Sequence, residues 1–197
     1  EPRTSAVPTQ YRSRPSRYGW LVAAYGLEGL GYIVSGTFLV AAVVSWPNTA
    51  PYGAFSWVLV GLAAVPSTIV WSLLATRWGE SRALLAAYLL QVVGIVVPAV
   101  FSHWFSVFLG AVLFGGTFMG ITTLTMNVGR ALVPNHGRVV GQLTAAYGLG
   151  QMVGPAVAGT MATWTGGYAL PLVFAGGVVL AGAGALLPLM VARSLRK

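Results

Sequence analysis

Six stretches of apolar sequence, each 19 to 29 residues long, follow one another with only short connections between them. A run of about 20 apolar residues in a helix matches the ~30 Å hydrocarbon layer of a bilayer. Inside that layer water is absent, so every backbone N–H and C=O must find a partner within the protein, and a continuous apolar run meets this demand as an α-helix. The runs cover residues 18–46, 54–76, 83–101, 105–128, 139–163 and 169–192. Only 7% of the residues are charged, against about 25% in an ordinary soluble domain. The expected fold class is therefore an all-α membrane protein of six transmembrane helices. Its two parts are a basic cytoplasmic linker at 1–17, rich in Pro and Arg, and a six-helix bundle at 18–197. Pro66, Pro98 and Pro155 fall inside runs, where neighbouring helices can satisfy the carbonyls they free.

Positive charge is distributed on one side. All 11 Lys and Arg residues lie in the leading segment, at the connections after runs two and four, or in the tail, and the other three connections hold none. By the positive-inside rule both termini are cytoplasmic. Trp46, Trp57, Trp104 and Trp164 gather toward the opposite interface, Trp20 and Trp78 toward the charged one, as aromatic belts do. The excess of Arg over Lys, amid abundant Ala, Gly and Val, points to a GC-rich bacterial genome and hence to the cytoplasmic (inner) membrane. The chain opens on Glu1 without a signal-peptide pattern, so a processed product or fragment is expected.

Within the first run, Glu28 is the sole ionisable acid or base, set in Tyr25-Gly-Leu-Glu28-Gly-Leu-Gly-Tyr32. Ten residues into a helix it stands roughly 15 Å deep, near the bilayer midplane. A charge there costs several kcal/mol unless it is neutralised, paired or facing water, so an intramembrane acid is a candidate functional group. The competing reading is a protonated side chain that serves as glue between helices. Tyr25, Glu28 and Tyr32 are spaced i, i+3, i+7 and share one helix face. Thr123, Asn127, Gln142 and Gln151 in later runs could join them on a polar path, as could Gln91 in run three.

Several function classes fall away. The basic residues are spaced between apolar runs and form no groove-facing patch, so no nucleic-acid partner is expected. An intramembrane protease would need a Ser–His pair within the membrane or two aspartates. The chain has no aspartate, and His103 and His136 both fall in connections. Metal and haem sites would need clustered ligands, so no cofactor and no catalytic residue is assigned. Cysteine is absent. A structural or assembly protein of the membrane is the non-transport alternative.

Six spans divide into two sets of three, and since three is odd the second set must run inverted relative to the first, a common transporter plan. Gly36-Thr-Phe-Leu39 in run one and Gly116-Thr-Phe-Met119 in run four resemble each other at the expected counterpart positions. Run five carries Gly150, Gly154, Pro155 and Gly159, which resemble motif C (G-x-x-x-G-P-x-x-G-G) of the major facilitator superfamily, with Ala158 in place of one glycine. The turn containing Arg77, Gly79, Glu80 and Arg82 is similar to that superfamily's motif A, with Thr76 where an acid is usual. The stretch 25–33 resembles the YbfB/YjiJ-type branch. The resemblance implies the C-terminal six-helix half of a secondary transporter that works by alternating access on a small organic solute. It implies runs one, two, four and five around a central cavity, which favours the polar residues there over Gln91. It also implies a second six-helix half, from the same precursor, a separate chain or a homodimer. Glu28 would bind a proton or cation, with Tyr25, Tyr32, Thr123, Asn127, Gln142 and Gln151 beside it. Arg77, Glu80, Arg82, Arg130, Arg138, Gly150, Gly154 and Pro155 would serve gating.

The absence of cysteine makes the orientation directly testable. Single cysteines at Asn48, His103 and Gly166 are expected to react with an impermeant thiol reagent added outside, and those at Ser81 and Asn135 are not. Outside labelling at Ser81 would overturn the orientation.

Overall fold

The computed structural model describes residues 15–194, with side chains for 17–190. Residues 1–14 of the linker expected over 1–17, and the side chains of Arg193, Arg196 and Lys197, lie outside what is described, and residues 15–17 belong to the first helix. Six helices follow in order: α1 (Pro15–Ser45), α2 (Gly53–Trp78), α3 (Glu80–Val100), α4 (Trp104–Leu132), α5 (His136–Thr165) and α6 (Ala169–Ser194), with a 3-10 turn at Ala50–Tyr52 between α1 and α2. Five of them are long and apolar enough to cross a membrane; α5, with 30 residues, has the length but not the apolarity. Its glycines, threonines, Gln142 and Gln151 dilute the apolar content that the other five hold.

Helix ends extend past the apolar runs. α1 begins at Pro15, which suits a first helical turn because the missing N–H has no intrahelical acceptor there. The charged stretch between α2 and α3 is almost entirely helical: Arg77 closes α2, Glu80 opens α3, and Gly79 alone breaks the path, at φ 83. That left-handed value favours glycine. Glu80 in a first turn and Arg77 in a last turn both complement the helix dipole. Asn135 caps α5, its side-chain oxygen accepting from the Arg138 N–H at 3.1 Å. His103 and Ser106 form a capping box that opens α4.

The helices run alternately up and down. α1 and α5 lie parallel, Tyr18 near Val139 and Gly154 near Ile33. α2 and α4 are likewise parallel, from Tyr52 against Phe108 to Trp71 against Gly120. α6 runs antiparallel to α1, placing Gly182 by Ala24 and Gly31 by Ala175. α1 packs on α5 and α6, α4 packs on α2 and α3, and α3 closes the ring against α6. The described charged side chains Arg77, Glu80, Arg82, Arg130 and Arg138 thus gather at one end of the bundle. The core is a continuous apolar cluster from Leu21 to Leu189. The outer side of α2 shows Leu62, Val65, Ile69 and Leu73 exposed, as lipid-facing residues are in a helix whose solvent is hydrocarbon.

Lipid tails are as apolar as leucine, so helices in a bilayer associate by close packing and hydrogen bonding more than by a hydrophobic drive, and small residues permit that approach. A methyl placed on Gly29 would stand 2.3 Å from the Tyr147 carbonyl oxygen, and one on Gly150 would stand 2.2 Å from that of Gly26. Between α2 and α4, a methyl on Gly115 would lie 2.2 Å from the Val60 oxygen. Across the same interface the Gly116 carbonyl accepts from Ser67 Oγ at 2.8 Å and from Trp71 Nε1 at 2.7 Å.

Backbone contact of this kind leaves no side chain to move aside. Gly150→Ala and Gly29→Ala are each expected to destabilise the protein by about 1–3 kcal/mol, the cost of overpacking. Gly148→Ala, with open space at its Cβ, is expected to be neutral or slightly stabilising. Thermal unfolding in detergent of the three variants checks the contrast.

Candidate functional site

Glu28 lies where α1 faces α3 and is 1% exposed. The glycines around it explain that placement. Gly26 and Gly29 admit the backbone of α5, and Gly31 admits α6, where an added methyl would strike Val179 and the Ala175 carbonyl. With both neighbours drawn close, the carboxyl turns inward to α3. There Gln91, 0% exposed, donates from Nε2 to Glu28 Oε1 at 2.6 Å. Gln91 Oε1 in turn accepts from Thr117 Oγ1 of α4 at 3.1 Å. The Thr117 hydroxyl also stands 2.7 Å from the Leu113 carbonyl oxygen of its own helix. Three helices thus meet through one chain of buried polar groups.

The other carboxyl oxygen, Oε2, is buried without a hydrogen-bond partner. An ionised carboxylate accepts at two oxygens and about four lone-pair sites, whereas the neutral acid needs one acceptor for its O–H. One donor at Oε1 is too few for the charge, and a proton on Oε2 would find no acceptor. The arrangement therefore satisfies neither form completely, and unmatched buried polar groups cost roughly 1–3 kcal/mol. Two more such atoms lie in this layer: Tyr88 Oη and Thr125 Oγ1 are buried and approach each other across α3 and α4 without closing a hydrogen bond.

Aromatic rings form the adjoining wall. Tyr25 stacks on Tyr147 of α5 with ring centroids 4.6 Å apart. Tyr32 stacks on Phe114 at 5.5 Å and meets Phe118 at 5.2 Å and Tyr147 at 6.0 Å. Tyr25, Tyr32, Tyr88 and Tyr147 all stand within electrostatic reach of Glu28.

The sequence reading differs from this arrangement in one main respect. It set Gln91 behind the residues of the other runs, yet Gln91 is the group that Glu28 bonds. Thr123 donates to the Met119 carbonyl of its own helix at 3.0 Å. Asn127 and Gln151 are half-buried, and Gln142 is exposed. Tyr25 and Tyr32 do lie beside Glu28, as their spacing requires. Thr117, Tyr88 and Tyr147 were missed. A signal existed for Tyr88, as for the role of Gln91: Leu84, Ala87, Tyr88, Gln91, Gly94, Ile95 and Pro98 lie on the buried stripe of α3, and a Gln and a Tyr on such a stripe need partners inside the bundle.

Arg77, Arg82, Arg130 and Arg138 are exposed, and Glu80 is half-buried at the start of α3. Gly150 and Gly154 press on α1, a methyl on Gly154 lying 2.7 Å from the Leu30 carbonyl oxygen, and Pro155 follows within α5. His103 is exposed at the cap of α4. Among the described residues no three His, Cys, Asp or Glu side chains converge to hold a metal ion.

Comparison with known proteins adds the context. A variant of the Escherichia coli fucose:proton symporter FucP superposes with a TM-score of 0.73 at 16% sequence identity, over 86% of this chain and 42% of that one. The chain spans less than half the length of that transporter. Among curated proteins no match was found. The family model described as uncharacterised MFS-type transporter YbfB matches residues 2–187. The chain therefore belongs to the YbfB-type family of the major facilitator superfamily.

Proposed function

We propose that this chain is one half of a secondary active transporter that moves a small organic solute across the cytoplasmic membrane by alternating access, with Glu28 carrying the coupled proton. The observation that carries the reading is the buried carboxyl of Glu28, matched to neither protonation state in this conformation. A group that binds a proton from one side and releases it to the other needs conformations that differ in its solvation, and a midplane acid without a full set of partners has that property. The likeness to a fucose:proton symporter supports proton as the coupling ion. The half-buried rings of Tyr32, Tyr147 and Phe118 offer apolar and hydroxyl surface for the solute, with Tyr25 buried behind them and Gln151, Thr123 and Asn127 on the same helices.

Pairing of the helices supports an inverted repeat of α1–α3 and α4–α6. Exchanging the two sets turns the α1–α5 contact into α4–α2, turns α1–α6 into α4–α3, and leaves α3–α6 unchanged; these are the main contacts of the bundle. A second six-helix half would complete the cavity, consistent with the share of the symporter that this chain covers. Both termini face the cytoplasm in this reading, on the strength of the one-sided Lys and Arg.

Glu28→Gln keeps size and most hydrogen bonding but cannot titrate. In liposomes holding the full-length transporter under an imposed pH gradient, the substitution is expected to abolish proton-driven accumulation, with solute exchange and thermal stability retained. Unchanged accumulation would remove the coupling role and favour a packing role. In that case Glu28→Leu should cost only the roughly 0.6–2 kcal/mol of a membrane hydrogen bond.

The charged end supplies the gate in this scheme. Glu80 sits at the start of α3, at the same end as Arg130 and Arg138, and is proposed to pair with one of them in one state of the cycle. An exposed pair contributes about 0–1 kcal/mol. Double-mutant cycles of Glu80→Ala with Arg130→Ala and with Arg138→Ala, read as transport rates, are expected to show coupling above about 0.5 kcal/mol in at least one combination. Additivity in both would reject the gate.

A further inference from the structure

We propose that Gln91 and Thr117 are positioning residues that read the protonation state of Glu28 and relay it to α4 by reversal of one amide. The argument begins with donor and acceptor accounting. In the observed arrangement Gln91 Nε2 faces Glu28 Oε1 at 2.6 Å, and Gln91 Oε1 faces Thr117 Oγ1 at 3.1 Å. This polarity suits the carboxylate: the amide N–H donates to the charged oxygen, and the threonine hydroxyl donates to the amide oxygen. Once a proton from the aqueous phase binds Glu28 Oε1, that oxygen becomes a donor and the amide N–H opposite it has lost its acceptor.

The two ends of an amide differ little in shape, so a half-turn about χ3 of Gln91 exchanges N–H for C=O within the same volume. In the reversed state Glu28 Oε1–H donates to Gln91 Oε1, and Gln91 Nε2 donates to Thr117 Oγ1. The Thr117 hydroxyl can accept that bond because its own proton has a second acceptor, the Leu113 carbonyl oxygen at 2.7 Å. No proton moves along the chain; one is taken up at Glu28 and returned to water from the same atom. Both polarities leave Gln91 and Thr117 paired, and both ends of the amide change partner together. Burial enforces the coupling, because an atom facing the wrong way in a low-dielectric interior is costly to leave unpaired. Gln91 and Glu28 are essentially unexposed, and Thr117 is 2% exposed.

Other groups around Glu28 leave this role to Gln91. From α1 the titratable neighbours are Tyr25 and Tyr32, from α3 Tyr88, and from α5 Tyr147. α4 presents Phe114 and Thr117 toward this layer, and α6 carries no titratable side chain from 169 to 190. The tyrosines keep their protons across the acid and neutral range, so a change in charge in this layer begins at Glu28. What α4 gains is a hydroxyl that donates to α3 in one state and to its own backbone in the other.

This inference rests on Glu28 as the titrating group of the proposed transport cycle, and its test reads a spectrum, with transport as a separate measurement that tells the two apart. The full-length protein carrying this chain, in lipid nanodiscs, is stepped between alkaline and acid pH and followed by infrared difference spectroscopy, with the contribution lost in Glu28→Gln taken as that of Glu28. Wild type is expected to show a new carboxylic C=O band together with a shifted side-chain amide C=O band. Gln91→Leu should lose the amide feature and move the acid band to higher wavenumber, as for an acid without an acceptor. Thr117→Val should displace the amide feature, and Thr117→Ser should restore it. Gln91→Met serves where Gln91→Leu fails to fold. A Glu28-dependent difference spectrum that is the same in wild type, the Gln91 variants and Thr117→Val overturns the relay, as does the absence of any Glu28-dependent band. Loss of coupling in transport with an unchanged spectrum in these variants would leave the proton-carrier role and remove the relay. The relay spectrum in a protein whose transport ignores Glu28→Gln would do the reverse.

Discussion

How near α1 can come to its neighbours decides most of what this bundle can do. Helices in hydrocarbon gain little from merely hiding apolar surface, so contact has to be close to be worth forming. The sequence Gly26-Leu-Glu28-Gly-Leu-Gly31 answers that demand on two sides at once, with α5 against Gly26 and Gly29 and α6 against Gly31. A carboxyl flanked in this way has one direction left, toward Gln91. The feature that makes Glu28 chemically unusual is thus a by-product of backbone packing.

Polar side chains elsewhere in the bundle divide into two kinds. Ser35, Ser45, Ser56, Thr122, Thr123, Thr160 and Thr163 donate to carbonyls three or four residues back in their own helices. Such bonds make a hydroxyl tolerable in a dry setting and carry no information between helices. Ser67, Trp71, Gln91 and Thr117 reach across to another helix. Each of these four bonds has α3 or α4 at one end, whereas Tyr18 of α1 donates to the Val139 carbonyl of α5, so α3 and α4 hold most of the polar skeleton of the fold.

Sequence alone conveys the helices and the gathering of charged residues at one end well, because both follow from one-dimensional quantities: the length of apolar runs and the position of Lys and Arg. Helix ends were less legible. Arg77, Trp78 and Glu80 are charged or interfacial yet helical, since long side chains at a helix end can reach the interface while the backbone stays hydrogen-bonded. Glu28 stood out as the lone charge in its run, and Tyr25 and Tyr32 followed from helical spacing. Gln91 could not be matched to it by spacing, being 63 residues away on a helix that meets α1 only in three dimensions. α5 is the element whose apolarity the reading overstated: its length suggested a span, while Gly150 and Gly154 serve contact with α1 and Gly141, Gly148 and Gly159 face open space.

The parallel pairs α2–α4 and α1–α5 are built alike in outline and differ in their fastenings. Ser67 and Trp71 both hold the Gly116 carbonyl, and the Gly120 N–H returns a bond of 3.1 Å to Ser67 Oγ. Between α1 and α5 the one side-chain hydrogen bond among the described residues is from Tyr18 to the Val139 carbonyl, at 3.4 Å and near the end of both helices; the rest is glycine against the facing helix and the rings of Tyr25 and Tyr32 on Tyr147. The first pair is riveted and the second is a plain bearing. Displacing α2 along α4 means breaking three directional bonds, whereas displacing α5 along α1 breaks one, and the remaining cost is packing beside the carboxyl of Glu28.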